Sequence, residues 1–175
     1  MAFRFYLAVL LAVSLLAATT AGAFAKDMFE EEVDKDALSV KLARETVAGG
    51  YPLATAEELK KMLDEKKPLL VVDTMPYEAS FKKEHVPGAV SFEFPIEPME
   101  QWDAAKTGGK SPQDFEKLLG TDKKKLIVFY CGFVKCTRSH NGALWAKKLG
   151  YTNVVRFPGG IYAWKGAKYP VEVVK

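Results

Sequence analysis

The sequence predicts an α/β fold, a small parallel β-sheet with helices on both faces, and three observations carry the prediction. Short, largely apolar runs occur at 69–72, 126–130 and 154–157, the pattern of strands buried on both sides. Stretches with helix-start signals lie between them, and a strand–helix–strand alternation implies parallel pairing. Gly- and Pro-bearing turns such as Pro87-Gly88 and Pro158-Gly159-Gly160 separate the pieces.

In chain order, residues 1–25 read as a secretory signal. Arg4 gives a positive start, 5–18 is apolar except for Ser14, and Ala23-Phe24-Ala25 fits the small-x-small cleavage pattern. The expected mature chain begins near Lys26 in a periplasmic or secreted location, with no stable membrane association after cleavage. The apolar run is shorter than the ~20 residues of a comfortable span, which leaves an uncleaved anchor as the alternative. Residues 26–50, acidic at first and ending in Gly49-Gly50, show no strong period and read as an extended leader. The domain is expected over 51–175, a size that suits one core and a monomer.

Thr55 with Glu58 three residues on is a capping box ahead of Leu59, Met62 and Leu63, so a helix should run to about Glu65. The strand at 69–72 stops at Asp73, and 89–92 should form another strand after the Pro87-Gly88 turn. Residues 95–110 make a long irregular loop in which Trp102 is either a lid over the site or an aromatic peg on the domain's side. Ser111, Pro112 and Asp114 then supply an N-cap, a proline at the first helical position and an acid in the first turn. After 154–157 the glycine pair reads as a turn into a short helix at 161–165; no P-loop lysine follows it.

Residues 126–149, LIVFYCGFVKCTRSHNGALWAKKL, carry the chemistry. An apolar strand ends at Cys131, a polar loop follows, and Gly142, Ala146 and Leu149 mark one face of a helix that packs closely on the sheet. A cysteine at a strand's end beside a helix N-terminus meets unpaired amides and a helix dipole that favour an anion and a thiolate. Lys135 and Arg138 add positive charge, and an arginine can grip an oxyanion through two parallel hydrogen bonds. The plainer reading of Cys131 is a small buried residue. Cys131, Cys136 and His140 invite a zinc reading, but a fourth ligand is missing locally, so neither a metal nor another cofactor is expected. His140 reads equally as a proton donor or thiolate modulator and as a solvent-facing helix residue.

The run from Cys131 to Arg138-Ser139, followed by GALWAKKLGYTNVVRFPGGIYAWKGAKYPV, resembles the active loop and closing pattern of the rhodanese-like sulfurtransferases. Phe81 and His85-Val86-Pro87-Gly88-Ala89 after the strand-end Asp73 resemble a second family pattern, in which His85 would be structural rather than a base. Met75 stands where relatives often have arginine. The resemblance implies that Cys131 attacks the outer sulfur of thiosulfate or a polysulfide and passes it, as a persulfide, to a thiol or another acceptor. Gly132, Phe133, Val134, Lys135, Thr137, Arg138 and Ser139 would then bind the small sulfur-containing anion, with Asp73 and His140 in support.

The loop departs from relatives in length. Six residues separate Cys131 from Arg138, against four in typical members and five in related phosphatases and arsenate reductases. A wider cradle keeps a phosphatase- or arsenate-reductase-like activity open as an alternative, and so does a carrier that holds sulfur or an oxyanion without turnover. Cys136 falls inside this longer loop as either a resolving thiol or a packing residue.

Composition narrows the partners. The chain of 175 residues has a formal charge of +3, or +2 without Arg4, and its lysines and acids are interspersed as in KKMLDEKK and SFKKEH. Such a surface provides no nucleic-acid stripe. Only two cysteines exist, both in the loop, so a disulfide-dense scaffold is excluded.

Overall fold

A computed structural model describes residues 27–174; the export signal expected at 1–25 lies outside the described residues. The described residues divide into two units, one up to Lys35 and one from Asp36 onward. Among the described residues no helix is long and apolar enough to cross a membrane.

The expected extended leader at 26–50 is instead a helix, α1 (Met28–Gly49). Asp27 caps it by accepting from the amides of Phe29 and Glu30, and Gly50 ends it in the left-handed region at φ 60°. Propensity made this helix where periodicity was faint: alanines, glutamates, lysines and leucines dominate it, and Lys41 pairs with Glu45 one turn on. From Asp36 onward α1 belongs to the second unit.

The remaining elements follow the sequence closely. Helix α2 (Ala56–Asp64) begins with the Thr55–Glu58 capping box, and α3 (Pro112–Leu119) with a Ser111–Asp114 box and proline in its first turn. Strands β1 (Leu69–Asp73), β2 (Val90–Ser91), β3 (Leu126–Tyr130) and β4 (Val154–Phe157) pair in parallel in the order β2-β1-β3-β4. Strand β2 is shorter than the expected 89–92; Phe92 and Phe94 bond instead to the carbonyls of Asp73 and Thr74 and lead into the loop. Helices α4 (Arg138–Lys148) and α5 (Gly160–Gly166) complete the fold.

Alternation along β3 explains its unbroken apolar sequence. Ile127 and Phe129 enter a core with Phe92, Phe115, Leu119 and Ala143, while Val128 and Tyr130 enter a second core with Leu59, Phe81, Val155 and Trp164. A β-carbon on Gly142 would lie 2.8 Å from the Phe129 ring, so this glycine permits the close approach of α4 to the sheet. Trp102 is a peg: it packs on Phe92, Phe94, Phe115 and Trp145 and donates to the Lys110 carbonyl at 2.9 Å.

Candidate active site

The register of the two central strands sets Asp73 beside Tyr130, so Asp73 and Cys131 emerge together at the C-terminal ends of β1 and β3. Ligands of open α/β sheets bind at such ends. The carbonyls of Cys131 and Gly132 accept from the amides of Ile161 and Tyr162 at 2.9 and 3.0 Å, which clamps the loop's first residues to α5. Gly160 makes the clamp possible. Its φ is 57°, and a β-carbon there would lie 2.1 Å from the Cys131 carbonyl oxygen.

Cys131 is fully buried, and its Sγ lies 3.2 Å from Ser139 Oγ, 3.5 Å from the Cys136 carbonyl and 4.0 Å from that of Phe133. Beneath it runs a buried polar chain. Arg156, wholly inside on β4, donates from Nε to Ser139 Oγ at 2.9 Å, from Nη2 to the Cys136 carbonyl at 2.9 Å and from Nη1 to Glu45 at 2.6 Å. Since Ser139 Oγ accepts from Arg156, its own proton is free to point at the Cys131 sulfur.

Glu45 comes from α1 and balances the arginine. Burial pushes its carboxyl up, but the hydrogen bond and charge of Arg156, with Lys41 and Thr137, pull it below the usual carboxylate range overall. Lys41 donates to Thr137 Oγ1 and to the Lys135 carbonyl, both at 2.7 Å, and Thr137 donates to Glu45 at 3.0 Å. Thr137 thus anchors the loop to α1. Ser139 Oγ lies against the Cys131 sulfur itself.

The two loop thiols are shifted in opposite directions. Burial, and then the neighbouring Cys136, push the Cys131 thiol well above its ordinary value. Cys136 is brought down to about 6, first by the hydrogen bond from the Cys131 thiol and then, against burial, by the amides of Arg138 and Gly132. The longer loop accounts for this: Cys136 N bonds back to the Phe133 carbonyl at 2.9 Å, and the turn carries the second sulfur into the cradle whose amides were expected to serve Cys131 or an outside anion. Both cysteines are free thiols.

The other expected residues divide by position. Phe133 and Val134 are exposed at the loop's tip, with Phe133 against Tyr162, and Lys135 is exposed. Arg138 donates to the Phe94 carbonyl and lines a cavity of about 290 Å³ with Met75, Ser80, Lys83, Ile161 and Tyr162. That cavity adjoins the loop: Met75 Cε would lie 3.5 Å from a β-carbon on Gly132, and Ile161 holds the Cys131 carbonyl.

His140 is buried, contrary to the solvent-facing reading, and Nδ1 meets Tyr51 Oη at 2.6 Å. Burial pushes its imidazole down to about 4 and the Tyr51 hydroxyl up to about 12, so both are neutral near pH 7. His85 stacks on Phe81 at 4.1 Å and meets the Phe81 carbonyl at 2.9 Å, a structural placement. Asp73 is buried, with Oδ1 accepting from the Met75 amide at 2.8 Å and Oδ2 lacking a partner; burial lifts its carboxyl to about 6.

Sequence reasoning passed over Arg156, Glu45, Lys41 and Tyr51. One signal was present. Arg156 is the single charged residue of its strand, and a charge inside a strand buried on both faces demands a partner.

The model of the family described as Rhodanese-like domain matches residues 55–167. No curated protein matches the chain. Among solved structures, the fold is similar to a thiosulfate sulfurtransferase from Pseudomonas aeruginosa, at a TM-score of 0.58 and 17% identity over 79% of this chain and 23% of that one. It is similar also to the polysulfide-sulfur transferase homodimer of Wolinella succinogenes, at 0.53 and 13% over 85% and 94%. A third is a protein of unknown function and possible tyrosine phosphatase from Rhodopseudomonas palustris, at 0.51 and 21% over 77% and 93%.

Proposed function

The chain belongs to the rhodanese-like domain family, and on that premise we propose that it is a sulfurtransferase that takes sulfane sulfur from a small anion, thiosulfate or a polysulfide, onto Cys131 as a persulfide. The observation that carries this reading is the support of one sulfur: a strand-end cysteine with a serine hydroxyl on its Sγ, itself held by a buried arginine.

The Cys131 thiol gives up its proton to solvent, and its thiolate, facing the Ser139 hydroxyl, attacks the outer sulfur of the donor. With thiosulfate the sulfur–sulfur bond breaks and sulfite leaves with the electron pair. The cavity beside the loop supplies the approach, with Lys83 and Arg138 as its cations and Glu84, paired with Lys165, as its acid. A thiol acceptor then attacks the outer sulfur of the persulfide and returns Cys131 to its thiolate.

An oxyanion-hydrolysing reading fits less well, because the loop from Gly132 to Thr137 carries no acid to protonate a leaving group. Export to the periplasm or outside the cell belongs to the same proposal, since it rests on residues 1–25 alone; a mature N-terminus near Lys26 supports it, and an intact Met1 on membrane-bound protein opposes it. Turnover is tested with thiosulfate or polysulfide as donor and cyanide or a small thiol as acceptor. Catalysed transfer well above the uncatalysed rate is expected, and stoichiometric loading without turnover would make the protein a carrier instead.

A further inference from the structure

We propose that Cys131 and Cys136 act as a dithiol couple that reduces the bound sulfane sulfur to sulfide, so that this loop discharges its persulfide internally. The inference rests on the persulfide reading of Cys131 and adds a second reaction to it. Three observations place the couple. The two thiols are buried together in one loop, with Cys131 Sγ 3.5 Å from the Cys136 carbonyl. The Cys136 sulfur receives the amides of Gly132 and Arg138, which favour its thiolate. The loop is pinned on both sides, by the α5 amides at Cys131 and Gly132 and by Lys41 at Lys135 and Thr137, so the segment that carries both cysteines keeps its curl.

The step balances within the loop. The Cys136 thiolate attacks Cys131 Sγ of the persulfide; an Sγ–Sγ bond forms, the bond from Cys131 Sγ to the outer sulfur breaks, and that sulfur departs with the electron pair and its proton as hydrosulfide. Two electrons from the dithiol end on the released sulfur, and the loop is left as a disulfide. An external dithiol reopens it by exchange and is itself oxidised to a disulfide. Transfer to an acceptor thiol and internal discharge thus compete for the same persulfide, and the supply of external dithiol decides whether the discharge cycle continues.

The test uses the full mature chain, reduced, freed of reductant and kept without air, then given polysulfide in equimolar amount. Released sulfide, free thiols and intact mass are followed for wild type, Cys136→Ser and Cys131→Ser, with a donor-free control. Wild type is expected to release sulfide equal to the sulfur taken up, to lose both thiols and to show no lasting persulfide. Cys136→Ser is expected to hold the added sulfur at least tenfold longer and to release sulfide only when an external thiol is added. A stable wild-type persulfide with the Cys136 thiol still free overturns the couple while leaving the sulfurtransferase reading intact. Absence of any adduct on Cys136→Ser, or its persistence on Cys131→Ser, overturns the persulfide reading of Cys131 and the couple with it. Should Cys136→Ser fail to fold, the wild-type thiol count and mass decide alone.

Discussion

Ser139 shows how one hydroxyl decides the behaviour of a cysteine. It takes a hydrogen bond from Arg156 and has its proton left for Cys131 Sγ, so it favours the thiolate that the chemistry requires. A hydrogen bond to a charged group is worth about 1.5–3 kcal/mol. Ser139→Ala is therefore expected to slow persulfide formation roughly 10- to 100-fold and to move the rate's dependence on pH towards higher pH; an unmoved pH profile with an unchanged rate would mean that the serine only fills space. At this scale the sequence was legible for residue type and less so for direction. Cys131, Arg138 and Ser139 fall where the strand–loop–helix reading put them, yet the amides turn to Cys136. Nothing in a one-dimensional pattern tells which of two cysteines five positions apart a curled loop will face.

Two buried titratable groups set opposite slopes of stability against pH. Asp73, lifted from 3.8 to about 6 by burial, holds its proton more tightly when folded, so stability falls as pH rises from about 4 to 6. His140, lowered from 6.5 to about 4 by burial, holds its proton less tightly when folded, so its contribution is present above pH 6.5 and is lost as pH falls towards 4. At about 1.4 kcal/mol per pH unit, each amounts to about 3 kcal/mol, and the two largely offset. Asp73→Asn removes only the first slope. Denaturant titrations are expected to show the variant gaining about 3 kcal/mol on wild type between pH 4 and 6; a difference independent of pH would show that Asp73 is not buried as a titrating acid.

At the scale of elements, α1 is the piece that sequence periodicity did not reveal and that the site depends on. Its first half leaves Met28, Phe29 and Val33 exposed and lacks the continuous apolar stripe by which amphipathic helices are read, whereas its second half brings Lys41 and Glu45 to the loop. Glu45 neutralises an arginine with no exposed side-chain surface, and removing one member of a buried pair leaves the other charge without compensation. Glu45→Ala is expected to destabilise the fold by about 3–5 kcal/mol, with a lowered denaturation midpoint. A loss under about 1 kcal/mol, the range of exposed pairs, would show that water reaches Arg156. By contrast α2 and α3 were legible from four residues each, because a capping box is a local device that tertiary packing does not rewrite.

For the whole molecule, parallel order and two-sided burial followed from three apolar runs and the helices between them, since a strand with both faces covered has no polar alternation to show. The order β2-β1-β3-β4 places β1 and β3 at the centre, where their C-terminal ends bring Asp73 and Cys131 together; the sequence named both residues but not their adjacency. Core, clamp and buried arginine converge on one sulfur. The most direct measurement of that claim is the intact mass and peptide map of the protein after brief exposure to thiosulfate or polysulfide, with the reaction trapped early by a thiol-blocking reagent. The account predicts one added sulfur on wild type, mapped to Cys131, and none on a folded Cys131→Ser. Sulfur mapped first to Cys136, or taken up equally by Cys131→Ser, would contradict it.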